Sequence, residues 1–157
     1  MTLSDKLSRV LEFGHELDRN AELPDIEKIA GIYPRGFLSI YAAPAGTGKT
    51  WFMQYLACRI SRGGNILNGL LPNANPRKVV VLAGETGKYL LDKRLKATCW
   101  AYEKSRIKVY DCLELQREEI PIMLNTNEGR MTFITICANE QPDIIFIDTL
   151  ISFHTAD

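Results

Sequence analysis

The chain of 157 residues has no surplus of either charge: 19 basic side chains face 19 acidic ones, for a net charge of zero. That balance excludes binding of a polyanion through the overall field. Contact with nucleic acid would need a local patch, an assembled oligomer or residues not present here. Histidine is scarce, His15 and His154 being its 2 copies, and the 4 cysteines (Cys58, Cys99, Cys112 and Cys137) form no CxxC pair. No zinc spacing results, and the cysteines read as small buried apolar residues in a reducing cytoplasm. No apolar run approaches the roughly 20 residues of a membrane helix. Asp5 and Lys6 stand where a signal peptide needs its apolar stretch. The expectation is a soluble, cytoplasmic protein without a membrane partner. Internal repeats and low-complexity tracts are also missing.

What is present is the profile of an ordinary globular chain, 46% hydrophobic and 24% charged. A single domain of this length buries about 68–70% of its unfolded surface, enough for a core. Leu3, Leu7, Val10, Leu11 and Leu17 recur near one helical face, and Ser4 is placed to cap it. Pro24, Gly31, Pro34 and Gly36 then break the pattern. Residues 1–30 therefore read as an amphipathic helix with a linker, and 31–157 as the main domain. The apolar stripe of that helix packs on its own domain or on a neighbouring subunit.

From Phe37 the chain alternates strand and helix patterns. FLSIYAAP (37–44) reads as a buried strand, TWFMQYLACRIS as a helix and KVVVLAG (78–84) as a second strand. TGKYLLDKRLKATCWAYEK reads as a helix, IKVYDCL (107–113) as a third strand, 125–139 as a helix and DIIFIDTL (143–150) as a fourth strand. Such alternation predicts an α/β fold, a parallel sheet with helices on both faces.

Between the first strand and the first helix stands APAGTGKT (43–50). It is the phosphate-binding loop G-x-x-x-x-G-K-[ST] with Ala43 at the opening glycine. A match to [AG]-x₄-G-K-[ST] arises by chance in about one chain in a hundred of this length. In such a loop successive N–H groups turn inward toward a helix N-terminus, a ready site for phosphate. Gly46 and Gly48 supply backbone freedom, Lys49 reaches the β- and γ-phosphates, and the Thr50 hydroxyl takes a Mg²⁺ position. A single methyl at Ala43, where the strand leaves the sheet, is compatible with binding. The expected nucleotide-binding set is Pro44, Ala45, Gly46, Thr47, Gly48, Lys49, Thr50 and Trp51. A second stretch, GETGK (84–88), is no second loop, because Tyr89 follows its lysine and Leu82 stands at the first glycine position. Glu85 within it ends a strand at the edge where α/β proteins place ligands; it reads as a carboxylate that orients water, or as a helix cap. Asp148 ends the run IIFID as a Walker B aspartate does when it holds Mg²⁺.

These stretches, from GIYPRGFLSIYAAPAGTGKT through GETGKYLLDKRLKA to IIFIDTLISFH, resemble RecA-like P-loop ATPases. They are most similar to RepA-type hexameric replicative helicases and the AAA-type ATPases grouped with them. The resemblance spans roughly residues 31 to 157. It implies Mg-ATP as ligand and ATP hydrolysis as reaction, with Lys49 and Glu85 as catalytic residues. It further implies Thr50 and Asp148 at the metal, Arg94 at the nucleotide and His154 as a coupling residue. A homo-oligomeric, hexameric ring is implied, with an arginine from an adjacent subunit completing each site. Single-stranded DNA would be contacted through regions not present in this chain. Sheets of this class carry a further strand between those of the two Walker motifs, supplied later in sequence. Only nine residues follow Asp148, so the chain reads as a core lacking its C-terminal strands, unless the two strands pair directly. The alternative function is an ATP-gated regulatory or recombination accessory module that unwinds nothing. A small-molecule kinase is a third reading, for which no lid arginines or acceptor pocket stand out.

Overall fold

The computed structural model describes residues 27–71, 75–98 and 106–154. The N-terminal amphipathic helix expected at 3–17 lies outside them, as do Cys99 and the end of the helix expected to run to Lys104.

Three parallel strands form the centre: β3 (Val79–Ala83), β4 (Ile107–Asp111) and β5 (Ile144–Asp148), in spatial order β4-β3-β5. A two-residue antiparallel ribbon, β1 (Lys28–Ile29) with β2 (Tyr33–Pro34), precedes them. The register sets Ala83 between Asp111 and Asp148, so three strands end level at one edge. All five residues of β3 are buried, as the run VVVLA demands of a central parallel strand covered twice.

Alternation along β3 divides the core. Val79, Val81 and Ala83 pack against Leu56, Ala57, Ile60, Leu91 and Leu95 from α1 (Lys49–Arg62) and α2 (Lys88–Thr98). Val80 and Leu82 face the opposite layer, with Cys112 of α3 (Cys112–Arg117), Ile136 of α4 (Asn127–Glu140), Ile122 and Phe153. Two of these helices have side-chain caps: Asp111 accepts from Leu113 N–H at 2.9 Å, and Thr126 Oγ1 from Gly129 N–H at 3.1 Å. Sheet and helices on both faces thus agree with a P-loop NTPase-like α/β fold.

One expectation needs correction. Residues 37–44 form no strand: they join neither sheet, and Phe37, Leu38, Ile40 and Tyr41 are exposed, Leu38 by 85%. The composition suits a strand, but a strand exists only beside a neighbour that takes its N–H and C=O groups. β5 pairs with β3 on one side, and its other side carries no ladder among the described residues. Aromatic contacts tether the segment instead. Tyr33 meets Phe146 of β5 edge to face with centroids 6.0 Å apart, and Tyr41 meets Tyr33 at 6.1 Å and Phe52 at 6.1 Å. The Tyr41 hydroxyl also donates to that of Tyr33 at 2.5 Å. The third strand stops at Asp111, where that carboxylate caps α3. Cys58 is disulfide-bonded, whereas all four cysteines were expected as thiols; Cys112 and Cys137 are free.

Candidate nucleotide site

The loop 43–50 leads directly into α1. Gly46 and Gly48 hold φ of 77° and 90°, the left-handed region that costs a side chain energy and glycine nothing, and Gly48 is the N-cap of α1. The loop is closed by its own side chains. Thr47 Oγ1 donates to the Pro44 carbonyl at 2.8 Å, and the Lys49 ammonium donates to the same carbonyl at 2.8 Å and to that of Ala43. The methyl of Ala43 therefore leaves intact the main-chain oxygen that the lysine uses. Pro44, Ala45, Gly46, Thr47 and Gly48 are exposed, so the N-terminus of α1 is open to an anion.

Facing the loop is the level edge of the sheet. Asp148 is only 8% exposed, and the Thr50 side chain lies near enough to favour its charged form. Burial raises the pKa of Asp148 above the ordinary carboxyl value. The Thr50 side chain opposes that rise, the negative charge of Glu85 adds to it, and the positive charges of Lys49 and Arg94 oppose it. Four expected site residues, from the loop, the end of β3 and α2, thus act electrostatically on one buried acid.

Glu85 is exposed and held in place: Thr149 Oγ1 donates to its Oε1 at 2.9 Å, and Ser152 Oγ lies 3.3 Å from the same hydroxyl. The turn carrying Glu85 is clamped to the end of β5, since Gly84 N–H donates to the Asp148 carbonyl at 2.7 Å. A Cβ at Gly84 would come within 2.2 Å of Ser152 Cβ, so only glycine allows this approach. Arg94 is half-buried on α2, its guanidinium carbon 4.9 Å from the Trp51 ring centroid. His154 is exposed just beyond the 3-10 turn Leu150–Phe153.

Thr50 and Asp148, with Glu85 alongside, are a hard oxygen donor set of the kind Mg²⁺ takes, one or two carboxylates beside a hydroxyl and substrate phosphates. Among the described residues no group of three or more His, Cys, Asp or Glu side chains forms a metal cage. A cavity of about 110 Å³ between Lys78, Arg106 and Glu140 lies at the opposite end of the strands and is too small for a nucleotide.

Three features escaped the sequence reading. The Thr149 and Ser152 hydroxyls around Glu85 had no motif to mark them beyond following the Walker B acid. The Arg94–Trp51 stack joins residues far apart in the chain. Gln54, on the sheet-facing stripe of α1 one turn after Thr50, is fully buried with neither amide atom hydrogen-bonded among the described residues. A lone glutamine in an amphipathic helix gives no hint of that.

A family model described as an AAA domain matches residues 7–157. The chain therefore belongs to the AAA family of P-loop ATPases, which fits the glycine loop, the Thr50–Asp148 pair and the parallel sheet. Comparison with curated proteins and with solved structures finds no match. No helix among the described residues is long and apolar enough to cross a membrane.

Proposed function

We propose that the chain binds Mg-ATP at 43–50 and hydrolyses its terminal phosphate as the motor core of a RepA-like hexameric DNA helicase in replication or repair. The observation that carries the reading is the buried Asp148 carboxylate at the strand edge, within the influence of Thr50 and Lys49 of the phosphate loop, with Glu85 held beside it by Thr149. On nucleotide arrival the Lys49 ammonium exchanges the Ala43 and Pro44 carbonyls for phosphate oxygens. The N–H groups of 46–50 take the remaining phosphate charge. Thr50 and Asp148 would hold Mg²⁺, which would supply charge neutralisation to the bound triphosphate. Glu85 orients the attacking water, Arg94 meets the phosphates and His154 links the site to DNA-contacting segments. An arginine from an adjacent subunit of the ring completes the site; such residues are worth roughly 10³–10⁵ in rate in GTPases.

Domain 31–157 is the catalytic part of this scheme, and 1–30 is a segment ahead of it. The isolated chain binds ATP and turns it over far more slowly than a typical enzyme rate of about 10 s⁻¹. The test is hydrolysis by wild type, Lys49→Ala and Glu85→Gln, with and without single-stranded DNA, followed by unwinding of a forked duplex. The proposal expects Glu85→Gln to bind Mg-ATP normally without turnover. Unwinding lost in Lys49→Ala marks a motor. Hydrolysis without unwinding in the assembled ring marks the ATP-gated switch instead. Full turnover by monomers contradicts the scheme.

A further inference from the structure

Trp51 directly follows the metal-side threonine of the loop and leaves 47% of its surface open. Its ring lies under the Arg94 guanidinium, whose carbon sits 4.9 Å from the centroid. The two residues come from α1 and α2, which lie side by side on one face of the sheet. The same guanidinium charge reaches the carboxylate of Asp148. One cation is therefore shared between an indole on the loop helix and the acid at the metal end of the site.

The physics of that arrangement is specific. An arginine side chain has several soft torsions, and its donors are useful to a phosphate only when the planar fork faces it. An aromatic face under the guanidinium restricts its plane without itself consuming the in-plane N–H donors, so phosphate recognition and the ring contact do not compete. A lysine offers no such plane, and an aliphatic residue at position 51 offers no such face.

We propose that Trp51 is a positioning residue for Arg94: its indole face seats the guanidinium beside the phosphate loop so that the N–H fork meets the terminal phosphate of a bound nucleoside triphosphate. This rests on the Mg-ATP reading above and deepens it. Trp51 acts through Arg94 and not by touching the nucleotide, and the pair favours triphosphate over diphosphate.

The experiment uses the full chain, with Trp100→Phe as background so that Trp51 is the only tryptophan. Mg-ATP and Mg-ADP are titrated by calorimetry into the background protein and into Trp51→Phe, Trp51→Leu, Arg94→Gln and the Trp51→Leu/Arg94→Gln double variant. Thermal melts accompany each. Trp51→Leu should weaken Mg-ATP about two- to fivefold, the range of a partly exposed cation–π contact, and Mg-ADP less. Trp51→Phe should restore nearly all of it. In Arg94→Gln the Leu substitution should cost nothing further, and the change in Trp51 emission produced by Mg-ATP should vanish. Multiplying losses in the double variant, or a Phe variant as weak as the Leu variant, overturn the assignment while leaving the ATP site standing. If Trp51→Leu does not fold, an emission response that survives in Arg94→Gln overturns it alone. Absence of Mg-ATP uptake by the background protein overturns the nucleotide reading and this inference together.

Discussion

Replacing Gly84 by alanine tests whether the Glu85 turn is clamped to the far side of the site. The added Cβ would lie 2.2 Å from Ser152 Cβ, 2.7 Å from its Oγ and 3.1 Å from Phe153 Cε2. Neither wall yields easily. Phe153 is fully buried and its carbonyl accepts from Leu124 N–H at 2.7 Å, while Gly84 N–H is bonded to the Asp148 carbonyl. Overpacking of this kind costs about 1–3 kcal/mol. In a chain of this size each kcal/mol moves the melting temperature by about 2–4 °C, so Gly84→Ala should melt about 2–12 °C lower. The cost belongs to one contact, so it should be reversible. Ser152→Gly removes the Cβ that is struck and should recover at least half the loss in the double variant, although alone it destabilises. Calorimetric or circular-dichroism melts of the four proteins complete the cycle. Because the clamp sets Glu85 against Thr149, and Lys49 and Thr50 stand on another element, Gly84→Ala should retain Mg-ATP binding and lose turnover. A variant melting with wild type, or a double variant no better than Gly84→Ala, would refute the reasoning.

Three further outcomes follow from the same geometry. Asp148 has its folded pKa raised above the unfolded value, chiefly by burial, so stability is lost as pH rises above the ordinary carboxyl range. Asp148→Asn should therefore melt higher at neutral pH, with the gain shrinking as pH falls toward the ordinary carboxyl value of 3.8, and should lose magnesium-dependent nucleotide binding; a lower neutral melt counts against the buried charge. Gln54→Met removes two buried, unbonded amide atoms in a similar shape and should gain about 1–3 kcal/mol in chemical denaturation; a loss would show that the amide has a partner beyond the described residues. Leu38→Ala should change stability by less than about 0.5 kcal/mol, since the side chain is 85% exposed. A cost of about 2–5 kcal/mol, that of a core leucine, would mean that 37–44 is a buried strand after all.

The sequence showed most clearly what depends on local composition. VVVLA and IIFID announced strands because four or five apolar residues in a row have nowhere to go but a doubly covered sheet, and both are strands of the parallel core. Helices were expected after the loop and at 125–139, and Lys49–Arg62 and Asn127–Glu140 are helical. Segment 37–44 carried the same composition yet joined no ladder, because pairing is a property of the neighbour and not of the strand. Within the site, the loop residues share one motif and could be read from it. The meeting of Thr50 with Asp148, of Thr149 with Glu85 and of Trp51 with Arg94 depends on strand register and helix packing, which motif spacing does not encode.

The most direct measurement is calorimetric titration of ATP, with and without magnesium, into wild type and Lys49→Ala. The account predicts one magnesium-dependent site per chain in wild type. Its affinity should fall by at least about tenfold in the variant, the loss expected for a charged hydrogen bond worth about 1.5–3 kcal/mol. Equal uptake by the two proteins, or none by wild type, would contradict it.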